Sequence, residues 1–241
     1  MEGRGESQFV RMPRFGARLY DWFLRAEPIE ARVREVAQYL VSRMGSGRLL
    51  DVGTGPGTLL VECRRLNPQI ELYGLDISSA MIKQAQRNLR GVRVDLRQGS
   101  IRRTEYETGF FDLVTCVGSF YLWDYPEDSL EEIWRILKGG QCAYLFEFYS
   151  DADREEFRRA LRANLRQLDF ARKLLGPLAL RKALNMAYST EDLAAIVERT
   201  SFAGRHAIEK IPLSSLPIWL RITLRKGDKS SMASPLAFNF Q

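Results

Sequence analysis

Between Arg48 and Leu60 the chain reads Arg48-Leu49-Leu50-Asp51-Val52-Gly53-Thr54-Gly55-Pro56-Gly57-Thr58-Leu59-Leu60. A short apolar strand ends in an acid, three glycines alternate through a turn, and an apolar helix begins. No other stretch narrows the possible folds as much. Glycine tolerates positive φ and lets backbone approach a ligand closely, so a strand, glycine turn and helix in succession place a ligand against main-chain amides. The spacing is Gly-x-Gly-x-Gly, whereas dinucleotide binders carry Gly-x-Gly-x-x-Gly. Pro56 removes one amide, which suits a ligand that brings no pyrophosphate to this turn. A second apolar strand, Ile70 to Asp76, ends in a carboxylate placed to grip two ribose hydroxyls.

Strands are expected near 48–52, 70–75, 92–97, 111–117 and 141–147, and helices near 57–66, 78–89, 127–137 and 153–173. This alternation implies an α/β fold whose mostly parallel sheet is covered on both faces, with ligands at the carboxyl ends of the strands. Before it, Pro28 suits a helix start, and Ile29, Val33, Val36, Ala37, Leu40 and Val41 recur at helical spacing. After it, Ser189-Thr190-Glu191-Asp192 caps a helix running to about Arg199, and strands near 205–211 and 217–225 form an edge hairpin. Residues 1–8 and 227–241 are polar and are expected to be mobile.

Four ordered segments resemble the class I S-adenosylmethionine-dependent methyltransferases. They are Leu50 to Gly57, Gly74 to Met81, Phe111 to Ser119, and Arg135-Ile136-Leu137-Lys138-Gly139-Gly140. The resemblance implies a Rossmann-like, seven-stranded sheet with a helical cap. It divides the chain into a cap segment with the first helix (1–44), a methyltransferase domain (45–226) carrying a helical insertion (150–188), and a tail (227–241). It also implies S-adenosyl-L-methionine as cofactor, held by Tyr20, Asp51, Gly53, Thr54, Gly55, Asp76, Ile77, Met81, Ser100, Ile101, Val117 and Gly118. In that family the segment Ala17 to Asp21 often folds over the cofactor, with its tyrosine near the methionine portion; packing on the sheet is the alternative for Tyr20. Met81 takes the place of an apolar residue against adenine, or packs in the core. Ser100 stands where many relatives carry an aspartate, so its bond to the adenine amino group is uncharged and weaker by about 1 kcal/mol.

A sulfonium methyl is already activated, so transfer needs alignment and exclusion of water more than a catalytic group. No catalytic residue is assigned. Relatives that act on small molecules often have a histidine near 121 or 122, where this chain has Tyr121 and Leu122. An aromatic wall of Phe120, Tyr121 and Trp123 suggests an apolar or aromatic acceptor, quinone-like or lipid. Neither an Asp/Asn-Pro-Pro-aromatic motif nor a Pro-Cys nucleophile is present.

Among 241 residues there is one histidine and three isolated cysteines, so no metal site is expected. No run of eighteen apolar residues exists and the first residues lack a signal peptide's apolar segment, so a cytoplasmic location is expected. The net charge is +6, and residues 154–182 carry an equal excess. There Arg154, Arg158, Arg162 and Arg166 form a row about 100° from an apolar stripe of Phe157, Leu161, Leu165 and Leu168. The row is either a solvated face or a means for Arg158 and Arg162 to recruit an anionic acceptor or an acidic membrane surface. Competing functions are an RNA methyltransferase using this row, a nucleotide-binding oxidoreductase, and a non-catalytic protein that keeps the cofactor pocket for an interaction. Nucleic acid is the less favoured partner, and the expected assembly is a monomer or homodimer.

Overall fold

A computed structural model of the chain describes residues 13–25, 27–165, 170–214 and 216–228. Its strands are β1 (Gly47–Val52), β2 (Ile70–Asp76), β3 (Val94–Gln98), β4 (Phe111–Val117), β5 (Leu137–Phe148), β6 (His206–Leu213) and β7 (Leu216–Arg225). They form one sheet in the order β3-β2-β1-β4-β5-β7-β6. All neighbours among the first five strands pair parallel, while β7 runs antiparallel to both β5 and β6. The expected α/β fold with a mostly parallel, seven-stranded sheet is therefore observed.

Side chains alternate across each strand, so β1 feeds two cores at once. Leu50 and Val52 join one cluster with Val114, Leu145 and Ile133, and Leu49 joins the other with Leu72, Leu113, Phe146 and Leu40. The helices that cover the second face are α2 (Glu27–Ser42), α3 (Thr58–Leu66) and α4 (Ser79–Asn88). On the first face lie α5 (Pro126–Ile136) and α8 (Thr190–Glu198), which contribute Leu130, Ile133, Leu193 and Ile196. Ser189 Oγ accepts the Asp192 amide at 3.0 Å and Asp192 accepts the Ser189 amide at 3.3 Å, the reciprocal cap read from the sequence.

A separate helix, α1 (Arg14–Leu24), precedes α2. Over the helix expected at 153–173, the described residues are helical at Arg154–Leu165 (α6) and Phe170–Met186 (α7), and 166–169 lie outside the described residues. The apolar residues of Phe170–Met186 fall all round a helix, so their spacing marks no single face. Phe157 and Leu161 of the expected stripe are half-buried, whereas Leu168 and Arg166 lie outside the described residues. The terminal stretches expected to be mobile, 1–8 and most of 227–241, also lie outside them. No helix among the described residues is long and apolar enough to cross a membrane.

The strand order reverses between β1 and β4, and the loops that follow those two strands diverge there. Open α/β sheets hold ligands in the crevice made by such a reversal.

Candidate active site

The turn after β1 is built by glycine. Gly53 has φ +72°, and a Cβ placed on it would meet the Ser119 side chain, lying 2.7 Å from the Ser119 Cβ. The Gly53 and Thr54 amides both donate to the Leu75 carbonyl, at 2.8 and 3.1 Å, and the Gly57 amide donates to Thr54 O at 2.9 Å. The Gly55 amide donates to Asp76 Oδ2 at 2.8 Å, while the Ser78 amide donates to Oδ1 at 2.8 Å. Pro56 has no amide. Every N–H from Gly53 to Gly57 is thus engaged within the protein, which differs from the expectation that these amides meet the ligand. Glycine here removes side chains and latches β1 to β2, and nothing in the turn offers a cradle for pyrophosphate.

Two adjoining cavities open above this turn. The smaller, about 130 Å³, is lined by Tyr20, Gly53, Gly55, Asp76, Ile77, Met81, Ser100, Ile101, Val117 and Gly118, all residues singled out from the sequence. The larger, about 360 Å³, is lined by Asp51 and Thr54 and by apolar side chains from α2, α6, α7 and β7. Tyr20, Gly53, Gly55, Val117, Gly118, Tyr121 and Leu122 line both. The smaller alone falls below the ~300–1,000 Å³ typical of ligand sites, and the two together lie within it.

The expected aromatic wall is corrected at one position. Tyr121 lines both cavities and Trp123 the smaller, but Phe120 lines neither and is 1% exposed in the core, against Trp123 and Tyr188. Residues 120–122 form a 3₁₀ turn, which rotates successive side chains by about 120°, so adjacent aromatics face different surroundings.

Tyr20 reaches the site because α1 is tied down by its neighbour. Asp21 accepts hydrogen bonds from Asn88 Nδ2 at 2.8 Å and Gln84 Nε2 at 3.2 Å, both on α4. Asn88 Nδ2 also donates to Pro56 O at 2.9 Å, so one side chain joins α1, α4 and the glycine turn. Ala17 packs on Ala80 and Met81, which buries Met81 while it lines the smaller cavity. The Tyr20 ring is 40% exposed, yet burial of its phenol and the nearby Asp76 and Glu147 carboxylates raise its pKa, with Arg32 opposing.

Three acids are buried here. Burial raises Asp76, against the amides of Ser78 and Gly55. Burial carries Asp51 to about 7, with the Thr54 hydroxyl opposing and Asp76 adding. Glu147, at the end of β5, was not anticipated. Its Oε1 accepts the Ser119 and Phe120 amides at 3.0 and 2.9 Å and the Cys116 thiol at 3.3 Å, fixing the loop after β4. The signal was an acid inside the apolar run Leu145-Phe146-Glu147-Phe148. Burial pushes Glu147 up to about 7, with those hydrogen bonds pulling it back. A carboxyl raised in the folded state favours folding below its unfolded pKa, near 4.5, and loses that contribution as pH rises through 7. Stability of the apo protein is therefore expected to fall between pH 4.5 and 7, and Glu147→Gln is expected to flatten that slope. Urea unfolding at both pH values checks this; a parallel loss in wild type and variant would remove Glu147 as a source.

A family of methyltransferase domains matches residues 49–140, the span from β1 to the start of β5. The matched span contains the four segments between Leu50 and Gly140 that carry the resemblance to class I S-adenosylmethionine-dependent methyltransferases. An uncharacterized methyltransferase of Bacillus subtilis (strain 168), YdaC, is 33% identical over 110 residues, covering 44% of this chain and 61% of that protein. The demethylmenaquinone methyltransferase of Deinococcus radiodurans is 33% identical over 103 residues, covering 42% of this chain and 43% of its own length. The matches thus span between about two fifths and three fifths of these curated relatives. The fold of a candidate S-adenosyl-L-methionine-dependent methyltransferase from Methanococcus maripaludis superposes with TM-score 0.70 at 21% identity, covering 92% of this chain and 97% of that one.

The residues lining the smaller cavity fit S-adenosyl-L-methionine, the cofactor that the resemblance implies. Asp76, 9% exposed, retains acceptor capacity beyond its two amide bonds. Ile77, Met81 and Ile101 offer apolar surface for a flat ring beside the Ser100 hydroxyl, which also accepts the Arg102 amide at 3.3 Å. The domain's turn leaves no free amide for a second phosphate. No group of three or more His, Cys, Asp or Glu suited to a metal ion occurs among the described residues.

Proposed function

We propose that the protein transfers a methyl group from S-adenosyl-L-methionine to a small apolar or aromatic acceptor. The observation that carries this is the joining of two unlike cavities at Tyr20, Gly53, Gly118 and Tyr121, one ending in the Asp76 carboxylate and the other walled by apolar side chains. Bound cofactor would supply a methyl already activated by its sulfonium. Asp76 holds the ribose, Ile77, Met81 and Ile101 hold the base, and Tyr20 covers the methionine end. Gly53 and Gly118, lacking side chains, leave the passage between cavities clear, and Tyr121 sets one wall of it. Glu147 keeps that wall in place through the loop amides. The two cavities together exclude water from the line of approach, which is where alignment yields rate.

A quinol-like acceptor agrees with the apolar lining and with the activity named for the Deinococcus radiodurans relative. Arg154, Arg158 and Arg162 are exposed on α6, while Leu161 and Asn164 of the same helix line the larger cavity. In this reading the row attracts an anionic acceptor from outside and does not grip it. The test is S-adenosylhomocysteine release in the presence of reduced menadione, other apolar phenols, or bulk RNA. Release with a phenol and not with RNA supports the proposal, and release with RNA alone contradicts it.

Tyr20→Ala is expected to weaken S-adenosylhomocysteine binding about fivefold to tenfold, roughly 1–1.4 kcal/mol, with a small change in the melting temperature of the apo protein. A loss of several kcal/mol of apo stability, as truncation of a buried aromatic gives, would make Tyr20 a core residue instead. Thermal scans with and without ligand separate the two.

A further inference from the structure

The larger cavity has a cation set into its apolar wall. Arg32 of α2 lines it beside Val33, Val36, Phe148 and Trp219, and its guanidinium carbon lies 4.9 Å from the centroid of the Trp219 ring. The Arg32 Nε is buried with no hydrogen-bond partner, and so is the Trp219 indole nitrogen. Glu35, the acid that acts on Arg32, is engaged with Ser214, accepting its amide at 3.1 Å and its hydroxyl at 3.4 Å. Two sealed donors and a charge thus share one wall of a cavity whose lining is otherwise mostly apolar, with Lys182 the second cation that lines it. Burial lowers the Arg32 pKa to about 10, against the pull of Glu35 and Tyr20, so its charge is held at a desolvation cost. Arginine on an aromatic face keeps its fork of terminal nitrogens available for a planar anion.

We infer that the ligand of the larger cavity is an apolar carboxylate, and that Arg32 on Trp219 takes its anionic group. This rests on the proposed methyltransferase reading and narrows its apolar acceptor to an acidic one, in place of a neutral quinol. A carboxylate supplies the hydrogen-bonded charge that Glu35, engaged with Ser214, does not, and its apolar body covers the remaining wall. Tyr20, which lines both cavities, shares the larger one with Arg32. Asp51 lines the same cavity, but the groups that act on Arg32 are Glu35 and Tyr20.

The test is calorimetric binding of 2-naphthoate and dodecanoate, each against its neutral alcohol, to wild type, Arg32→Met and Arg32→Lys, with S-adenosylhomocysteine titrated separately. At least one carboxylate is expected to bind wild type about tenfold to a hundredfold more tightly than its alcohol. Arg32→Met, which keeps apolar contact with Trp219, is expected to erase that preference, and Arg32→Lys to keep part of it. S-adenosylhomocysteine affinity is expected to stay the same in all three. Equal affinity for carboxylate and alcohol in wild type overturns the inference, as does a preference that survives in Arg32→Met. Binding of neither carboxylate at millimolar concentration overturns it as well. Failure of wild type to bind S-adenosylhomocysteine would instead strike the methyltransferase reading, whatever the carboxylates do.

Discussion

Asp76→Ala is expected to weaken S-adenosyl-L-methionine binding by about tenfold to a hundredfold, because a hydrogen bond to a charged group is worth roughly 1.5–3 kcal/mol. The geometry adds a second loss. Both carboxylate oxygens already accept main-chain amides, from Gly55 and Ser78, so alanine leaves two donors without partners at the end of β2. The glycine turn then loses its tie to that strand, and the apo protein is expected to melt lower as well. Asp76→Asn separates the effects. Its one amide oxygen satisfies one of the two donors, and it offers no charge to the ribose. Asparagine is therefore expected to recover part of the stability and little of the affinity. Calorimetry on both variants, with thermal scans, gives the answer, and unchanged affinity in Asp76→Ala would remove this residue from the site.

Gly53→Ala is expected to cost about 2–4 kcal/mol of folding free energy, since a non-glycine residue at positive φ and an overpacked contact each cost about 1–3 kcal/mol. The backbone stands at φ +72°, and the new methyl meets Ser119, whose hydroxyl donates to Val52 O at 3.3 Å and lies 3.0 Å from the Cys116 sulfur. Moving Ser119 away breaks those contacts and shifts the loop that Glu147 holds. The double variant Gly53→Ala/Ser119→Gly relieves the clash and leaves the backbone strain, so about half of the loss is expected to return. Urea midpoints measure both. A single variant as stable as wild type would show that the turn relaxes freely.

The glycine turn was legible because its signals are local: an apolar strand, alternating glycines and an acid on the next strand all lie within thirty residues. The alternation of strand and helix was legible for the same reason, and the reciprocal cap at Ser189 follows from four adjacent residues. What sequence did not show depends on partners far apart. Asp21 meets Gln84 and Asn88 across more than sixty residues, and Arg32 meets Trp219 across a still longer interval. No periodicity records such pairs. Phe120 failed for a different reason, since adjacent aromatics look alike in a sequence until the turn geometry sorts them into core and cavity. The turn amides were expected at a ligand and are instead consumed by Leu75, Asp76 and Thr54, which only the register of β1 against β2 reveals.

The most direct measurement is calorimetric titration of the purified protein with S-adenosylhomocysteine, beside an identical titration with NAD. The engaged turn amides, the Asp76 carboxylate and the apolar walls of the smaller cavity predict one saturable site for S-adenosylhomocysteine and no measurable binding of NAD. A folded protein that binds NAD, or that gives no saturable heat with S-adenosylhomocysteine, would contradict the assignment of this site.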